Sequence, residues 1–158
     1  ARRGITRLEH TDVDGTLVTR GPRSLSGVLA EMADMPDAVM TLAVLCAFAA
    51  TPSIIRGVRT LRVKETDRIA ALQTELAKLG VQIEVSSDSD TITITPPAEG
   101  IDCSTGVAPV EFETYDDHRM AMALSLVGLR RPNTFIWDPQ CVAKTYPGYW
   151  RDLAKLYQ

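Results

Sequence analysis

K-E-T-D-R-I-A-A-L-Q-T-E-L-A-K-L-G, residues 64–80, decides the architecture. Ile69, Leu72, Leu76 and Leu79 recur at the three- and four-residue spacing of one helix face, and Gly80 stands where a left-handed C′ residue closes a helix. The spacing predicts a helix running from Thr66 up to Gly80. Immediately after it, Val81, Ile83 and Val85 and then Ile92 and Ile94 alternate around S-S-D-S-D, residues 86–90, the pattern of a hairpin. Before it, residues 54–58 and 61–63 read as short strands, and residues 38–50 as a buried helix whose first turn Pro36 prepares. Further out, residues 16–20 read as a strand and 96–108 as a loop. Residues 119–129 read as a helix with Met120, Leu124 and Val127 on one face, 135–137 as a strand, and 149–157 as a terminal helix carrying Leu153 and Leu156. The alternation predicts an α/β layered domain in which helices cover a mixed sheet.

The chain has 158 residues, 45% of them hydrophobic, which supports one packed core. Its formal net charge of −3 and pI near 5.4 exclude a general basic field for nucleic acid, so any anion site has to be built locally. The longest apolar stretch, residues 39–50, is too short to span a bilayer, and no segment has the layout of a signal peptide. Cys46, Cys103 and Cys141 make an odd set without a C-x-x-C pair, which argues against a disulfide framework or a zinc site and fits a reducing cytoplasm. Ala1-Arg2-Arg3 at the front, with no initiator Met, suggests a piece of something larger.

Charge is distributed unusually around the expected helix starts. Asp67, Asp116 and Asp117 suit the partial positive charge of a helix N-terminus, whereas Lys64, Arg68, Arg119 and Lys144 oppose it. Cations gathered at such positions suit an anionic ligand that also accepts hydrogen bonds from free backbone N–H groups. Lys64 and Arg68, four residues apart, share a face with Glu65 on the neighbouring edge. A carboxylate between two cations stays ionised unless burial opposes them, and that balance tunes an acid. Asp37 follows Pro36 at the start of the apolar helix, where an acid is also favoured without any catalytic task.

Four stretches in this order, M-P-D-A-V-M-T at 35–41, R-V-K-E-T-D-R-I at 62–69, Y-D-D-H-R-M-A-M at 115–122 and D-P-Q-C-V-A-K-T-Y-P at 138–147, resemble the C-terminal motifs of the 5-enolpyruvylshikimate 3-phosphate (EPSP) synthases. The resemblance runs from about Asp34 to the end. It implies a transferase of the shikimate pathway that moves the enolpyruvyl group of phosphoenolpyruvate onto shikimate 3-phosphate and releases phosphate. It also implies two domains of repeated βαβαββ-type units with the site in the cleft between them, and no metal or other cofactor. On this resemblance Asp37 takes the proton of the attacking sugar hydroxyl and Glu65 protonates the methylene carbon of phosphoenolpyruvate. Arg68 and Arg119 clamp the phosphoenolpyruvate carboxylate, Lys144 meets its phosphate, Lys64 reaches the shikimate hydroxyls, and Asp117 and His118 support the clamp.

Two departures stand out. Thr60 occupies the position where the family commonly has an Asn that helps hold shikimate 3-phosphate, so one of the amide's contacts is lost. The family's N-terminal domain, with the groups that hold the shikimate phosphate, has no counterpart. The chain reads as a partial C-terminal domain, about a third of a full enzyme, inactive alone, with sub-units near residues 1–96 and 97–158. The related UDP-N-acetylglucosamine enolpyruvyl transferases fit the four motifs less well. A different class is suggested by D-V-D-G-T, residues 12–16, which resembles the nucleophile motif of haloacid-dehalogenase-like phosphatases, with Asp12 as nucleophile, Asp14 as acid and Asp116 with Asp117 for magnesium. That chemistry needs a buried parallel strand before Asp12. The half-polar run at 5–11 reads instead as an exposed edge leading into a hairpin turn.

Overall fold

A computed structural model of the chain describes the backbone of residues 7–10 and 17–20 and the chain from residue 24 to 157. Strands β1 (Arg7–His10) and β2 (Leu17–Arg20) pair antiparallel. Asp12, Asp14 and the expected turn around them lie outside the described residues, but the strand before them is one of an antiparallel pair and not the parallel strand that phosphatase chemistry requires.

The centre of the fold is a four-stranded sheet in the order β3-β4-β6-β5. β3 (Leu29–Glu31) runs parallel to β4 (Ser53–Arg56), and β6 (Thr91–Thr95) is antiparallel to both β4 and β5 (Gln82–Val85). Between β3 and β4 the chain makes a 3₁₀ turn, Pro36–Ala38, and helix α1 (Val39–Ala47); between β4 and β5 it makes a second 3₁₀ turn, Arg59–Val63, and helix α2 (Arg68–Ala77). The order is βαβαββ. A second stretch repeats its beginning: β7 (Val110–Phe112), α3 (His118–Ser125) and β8 (Thr134–Ile136), with β7 parallel to β8 as β3 is to β4, then α4 (Tyr149–Ala154). Helices cover mixed sheets, as the α/β reading predicts.

The period-two pattern in β6 turns Ile92 and Ile94 fully inward, where they meet Ile55 of β4, Val39, Met40 and Val44 of α1, Leu72 and Leu76 of α2 and Leu124 of α3 in one apolar cluster. Such side chains contribute about 1.5–3 kcal/mol each when fully buried. α1 is apolar on every side apart from the exposed Thr41, and Leu45 remains half exposed on its outer face.

The α2 boundary differs from expectation by two residues. Asp67 caps the helix, its Oδ1 accepting the Ile69 and Ala70 amides at 3.1 and 3.0 Å, so α2 starts at Arg68 instead of Thr66. At the other end the Val81 amide donates to Leu76 and the Gly80 amide to Ala77 with Gly80 at φ +77°, a Schellman closure with Gly80 at C′. The strand expected at 61–63 is the second 3₁₀ turn: Leu61 is buried and Val63 is 83% exposed, and three residues of alternating pattern cannot separate a strand from a tight turn. Gly57 ends β4 at φ +76°, where an added Cβ would lie 2.5 Å from the Ala33 amide nitrogen. That close approach lays residues 32–38 against residues 57–64 and so brings Asp37 beside Lys64.

Candidate functional site

Six of the residues singled out in the sequence, from three separated segments, meet at the first turns of α2 and α3, and Lys144 from a fourth segment joins them. Arg68 opens α2 and is almost wholly buried. Its Nε donates to Asp117 Oδ2 at 2.7 Å, Nη2 to Asp117 Oδ1 at 3.2 Å and to Glu65 Oε2 at 2.9 Å, and Nη1 to Asp37 Oδ1 at 2.9 Å. Four of its five N–H groups are thereby engaged. Asp117 caps α3, accepting the Arg119 and Met120 amides, and so ties the start of one helix to the start of the other. Arg119 then reaches back, its Nη2 3.1 Å from Asp37 Oδ2, and Lys64 Nζ stands 3.7 Å from Asp37 Oδ1. Lys144 Nζ donates to Glu65 Oε1 at 2.9 Å.

Four cations and three carboxylates thus form one network with a net positive charge, in a chain that is acidic overall. Asp37 is its hub, since Lys64, Arg68 and Arg119 all converge on it. Partial burial pushes the Asp37 carboxyl upward, but the Arg68 hydrogen bond with the Arg119 and Lys64 charges outweighs it and the pKa is lowered. Glu65 is held at about 2, first by the Lys144 hydrogen bond and then by one from its own backbone amide, with Arg68 adding to the pull. For Arg68, burial opposes the charged form, and the hydrogen bond and charge of Asp117 more than offset it, so its pKa rises.

The helix-start argument holds for two of the four cations. Arg68 and Arg119 stand in the first turns of α2 and α3, but Lys64 lies in extended backbone just after the Arg59–Val63 turn, and Lys144 closes the 3₁₀ helix Pro139–Lys144. At a helix end a cation is favoured, so Lys144 carries no penalty there. Asp116 caps nothing; it is exposed at φ +54°. Asp117 is committed to Arg68 and two amides, so Asp116 with Asp117 does not make the open acidic pair the magnesium reading needs. Thr60 is exposed and lines a neighbouring groove of about 320 Å³ with Glu31, Ala33, Gly57, Arg59 and Asp90; no hydrogen bond joins it to the cluster. His118 is 3% exposed with its Nδ1 buried and unpartnered, and it too has no hydrogen bond to the network. One participant went unnoticed in the sequence: Arg62 donates to Asp67 Oδ2 at 2.7 Å, bracing the cap that starts α2. Its five-residue offset from Asp67 matches no helical or strand spacing.

The EPSP synthase family, described as EPSP synthase (3-phosphoshikimate 1-carboxyvinyltransferase), matches residues 4–153. The chain is 45% identical to the 3-phosphoshikimate 1-carboxyvinyltransferase of Nostoc punctiforme over 139 residues, 88% of this chain and 30% of that protein. It is 47% identical to the chloroplastic 3-phosphoshikimate 1-carboxyvinyltransferase of Brassica napus over 136 residues, 86% of this chain and 25% of that one. It superposes on the EPSP synthase of Acinetobacter baumannii with a TM-score of 0.73 at 26% identity, covering 97% of this chain and 36% of that structure. The enolpyruvyl transferase NikO from Streptomyces tendae gives 0.67 at 26% identity, over 96% and 32%. The fold is that of the enolpyruvyl transferases. Within that class, the chain belongs to the EPSP synthase family, and it spans about 30% of the length of its Nostoc relative.

Proposed function

We propose that the chain is part of the C-terminal domain of a two-domain, cytoplasmic 3-phosphoshikimate 1-carboxyvinyltransferase and carries half of its active site. The observation that carries this reading is the convergence of Lys64, Arg68 and Arg119 on Asp37, with Lys144 on Glu65. Phosphoenolpyruvate and shikimate 3-phosphate are small polyanions, and a preformed excess of cations gathered beside two rigid helix starts is what their binding needs. The division near residue 96 is supported by the end of the four-stranded sheet at Thr95 and the start of the β7-β8 pair at Val110.

In this reading Arg119, 38% exposed, and the remaining N–H of Arg68 receive the phosphoenolpyruvate carboxylate, while Lys144, 59% exposed, turns to the phosphate. Glu65 is ionised before substrate arrives, because Lys144 holds its pKa near 2. A phosphate that draws Lys144 away and adds negative charge beside Glu65 raises that pKa, so binding itself prepares the acid. Glu65 then gives its proton to the methylene carbon. The shikimate hydroxyl, positioned by Lys64 and Thr60, adds to the adjacent carbon and passes its proton to Asp37. In the elimination from the tetrahedral adduct the deprotonated Glu65 takes back one methyl proton while Asp37 gives its proton to the departing phosphate, which regenerates the carbon–carbon double bond in the product. Asp117 acts by holding Arg68, and His118 is the buried first residue of α3. The other half of the cleft, from the N-terminal domain, completes the site.

Titration calorimetry of the chain with phosphoenolpyruvate tests the half-site. Binding that weakens about tenfold or more in Arg119→Ala and in Lys144→Ala, as expected for loss of a charge-assisted hydrogen bond, and that weakens further as salt rises, supports it. Affinities unchanged by both substitutions contradict it.

A further inference from the structure

Helix α2 carries a second buried charge that the transfer chemistry does not use. Glu75 follows Arg68 by seven residues, two turns along the helix and on the same face, in the apolar stripe beside Leu72 and Leu76. A carboxylate there is costly unless it is hydrogen-bonded, and both oxygens of this one are. Its Oε1 accepts the Tyr115 hydroxyl at 2.8 Å; its Oε2 accepts the Glu113 amide at 3.0 Å and Lys78 Nζ at 2.6 Å. Lys78 donates in turn to the Glu111 carbonyl at 2.8 Å. Together with the Arg68 grip on Asp117, α2 holds residues 111, 113, 115 and 117 of one segment.

That segment needs holding. Tyr115 and Asp116 both have left-handed backbone, at φ +56° and +54°, a conformation residues with side chains adopt only when the surroundings impose it. The turn they make delivers Asp117 to Arg68 and starts the helix turn that carries Arg119. Tyr115 is 39% exposed, and its hydroxyl bond to Glu75 ties that half-exposed side chain to α2. Burial and the Glu75 carboxylate push that hydroxyl up to about 12, which keeps it a donor.

We propose that Glu75, through Tyr115 and the Glu113 amide, is a positioning residue of the anion site: it fixes the turn that sets Arg68 and Arg119 in register with each other. Its effect on ligand binding rests on the reading of those arginines as a carboxylate clamp; its effect on the turn does not.

The test uses the full chain with Tyr115→Phe, which removes one hydroxyl, Glu75→Gln, and Ser125→Ala as a control elsewhere on α3. Two quantities are read: the exchange rate of the Arg68 Nε–H by NMR, and affinity for phosphoenolpyruvate. Tyr115→Phe should speed that exchange about tenfold and weaken phosphoenolpyruvate about tenfold, the scale of one lost hydrogen bond to a charged group, while Ser125→Ala moves neither. A purely structural role predicts instead that both variants alter exchange in proportion to their global unfolding midpoints, and that result overturns the proposal. So does unchanged Arg68 exchange in Tyr115→Phe, or faster exchange without weaker binding where the unsubstituted chain binds. If the unsubstituted chain does not bind phosphoenolpyruvate, the half-site reading fails and the Arg68 exchange rate alone decides the positioning role. If Glu75→Gln does not fold, Tyr115→Phe carries the test.

Discussion

Arg68 and Asp117, 49 residues apart in sequence, face each other through two hydrogen bonds of 2.7 and 3.2 Å, with both side chains almost completely removed from solvent. The pair joins the first turn of α2 to the cap of α3, so the geometry of the cationic cluster and the stability of the fold are the same interaction. Removing one partner of such a pair leaves a buried charge uncompensated. Asp117→Asn should therefore lower unfolding free energy by about 3–5 kcal/mol, against about 1–2 kcal/mol for Asp67→Ala, which loses a cap and a half-exposed ion pair with Arg62. Urea denaturation of the two variants measures the difference; equal losses would show that the buried pair adds nothing to the cap.

Acid should weaken the fold in a defined window. The pKa of Glu65 is depressed from 4.5 to about 2 and that of Asp37 is also lowered. Depressed carboxylates contribute stability that is fully present above their unfolded pKa and is lost as pH falls through the folded one. The thermal midpoint should thus decline as pH falls from about 5 to about 2. Glu65→Gln should decline less steeply across that window, and parallel curves for the two proteins would contradict the assignment.

Inorganic phosphate should act in the opposite direction on Glu65. By competing for Lys144 it removes the leading cause of the low pKa. A ¹³C NMR titration of the Glu65 carboxyl should give a higher midpoint with saturating phosphate than without, and Lys144→Ala should raise it without phosphate.

Gly57 is the backbone hinge on which the Asp37 segment rests. Gly57→Ala forces a side chain into left-handed backbone and against Ala33, and should cost about 1–3 kcal/mol. Because the displaced segment carries Asp37 toward Lys64, phosphoenolpyruvate affinity should change as well, whereas Gly100→Ala, with open space around its Cβ position, should leave affinity intact.

How much of this was legible in the sequence follows from the range of each interaction. The face of α2 and its Gly80 closure are local, repeated every three or four residues, and read directly; so do the alternating Ile92 and Ile94. The stretch at 61–63 misled because an apolar pair two residues apart fits a strand and a 3₁₀ turn equally. The residues that cluster all stand in four short motifs, but their wiring is not written there. Asp37 meets Arg68 across 31 residues, and Glu65 meets Lys144 across 79. Contacts of that range are set by sheet order and helix packing, which no local spacing encodes. Asp37 as hub emerges only from those long closures.

The rival phosphatase reading and the transferase reading separate by two substitutions in the complemented two-part protein. Asp12→Asn should leave enolpyruvyl transfer near its unsubstituted rate, while Glu65→Gln removes a general acid expected to contribute about 10²–10⁴-fold. Reversed sensitivities would restore the phosphatase.

The central claim is that this chain is one half of a two-part transferase site, and phosphate release tests it most directly. The purified chain is mixed with the N-terminal two-thirds of the Nostoc punctiforme relative, phosphoenolpyruvate and shikimate 3-phosphate, and phosphate is followed over time. Closing two half-sites supplies orientation and excludes water, effects that correspond to effective molarities of roughly 10⁵–10⁸ M, so release is expected only when both protein parts and both substrates are present. Turnover by the chain alone, or no release from the full mixture when both parts are folded and associated, would contradict the account.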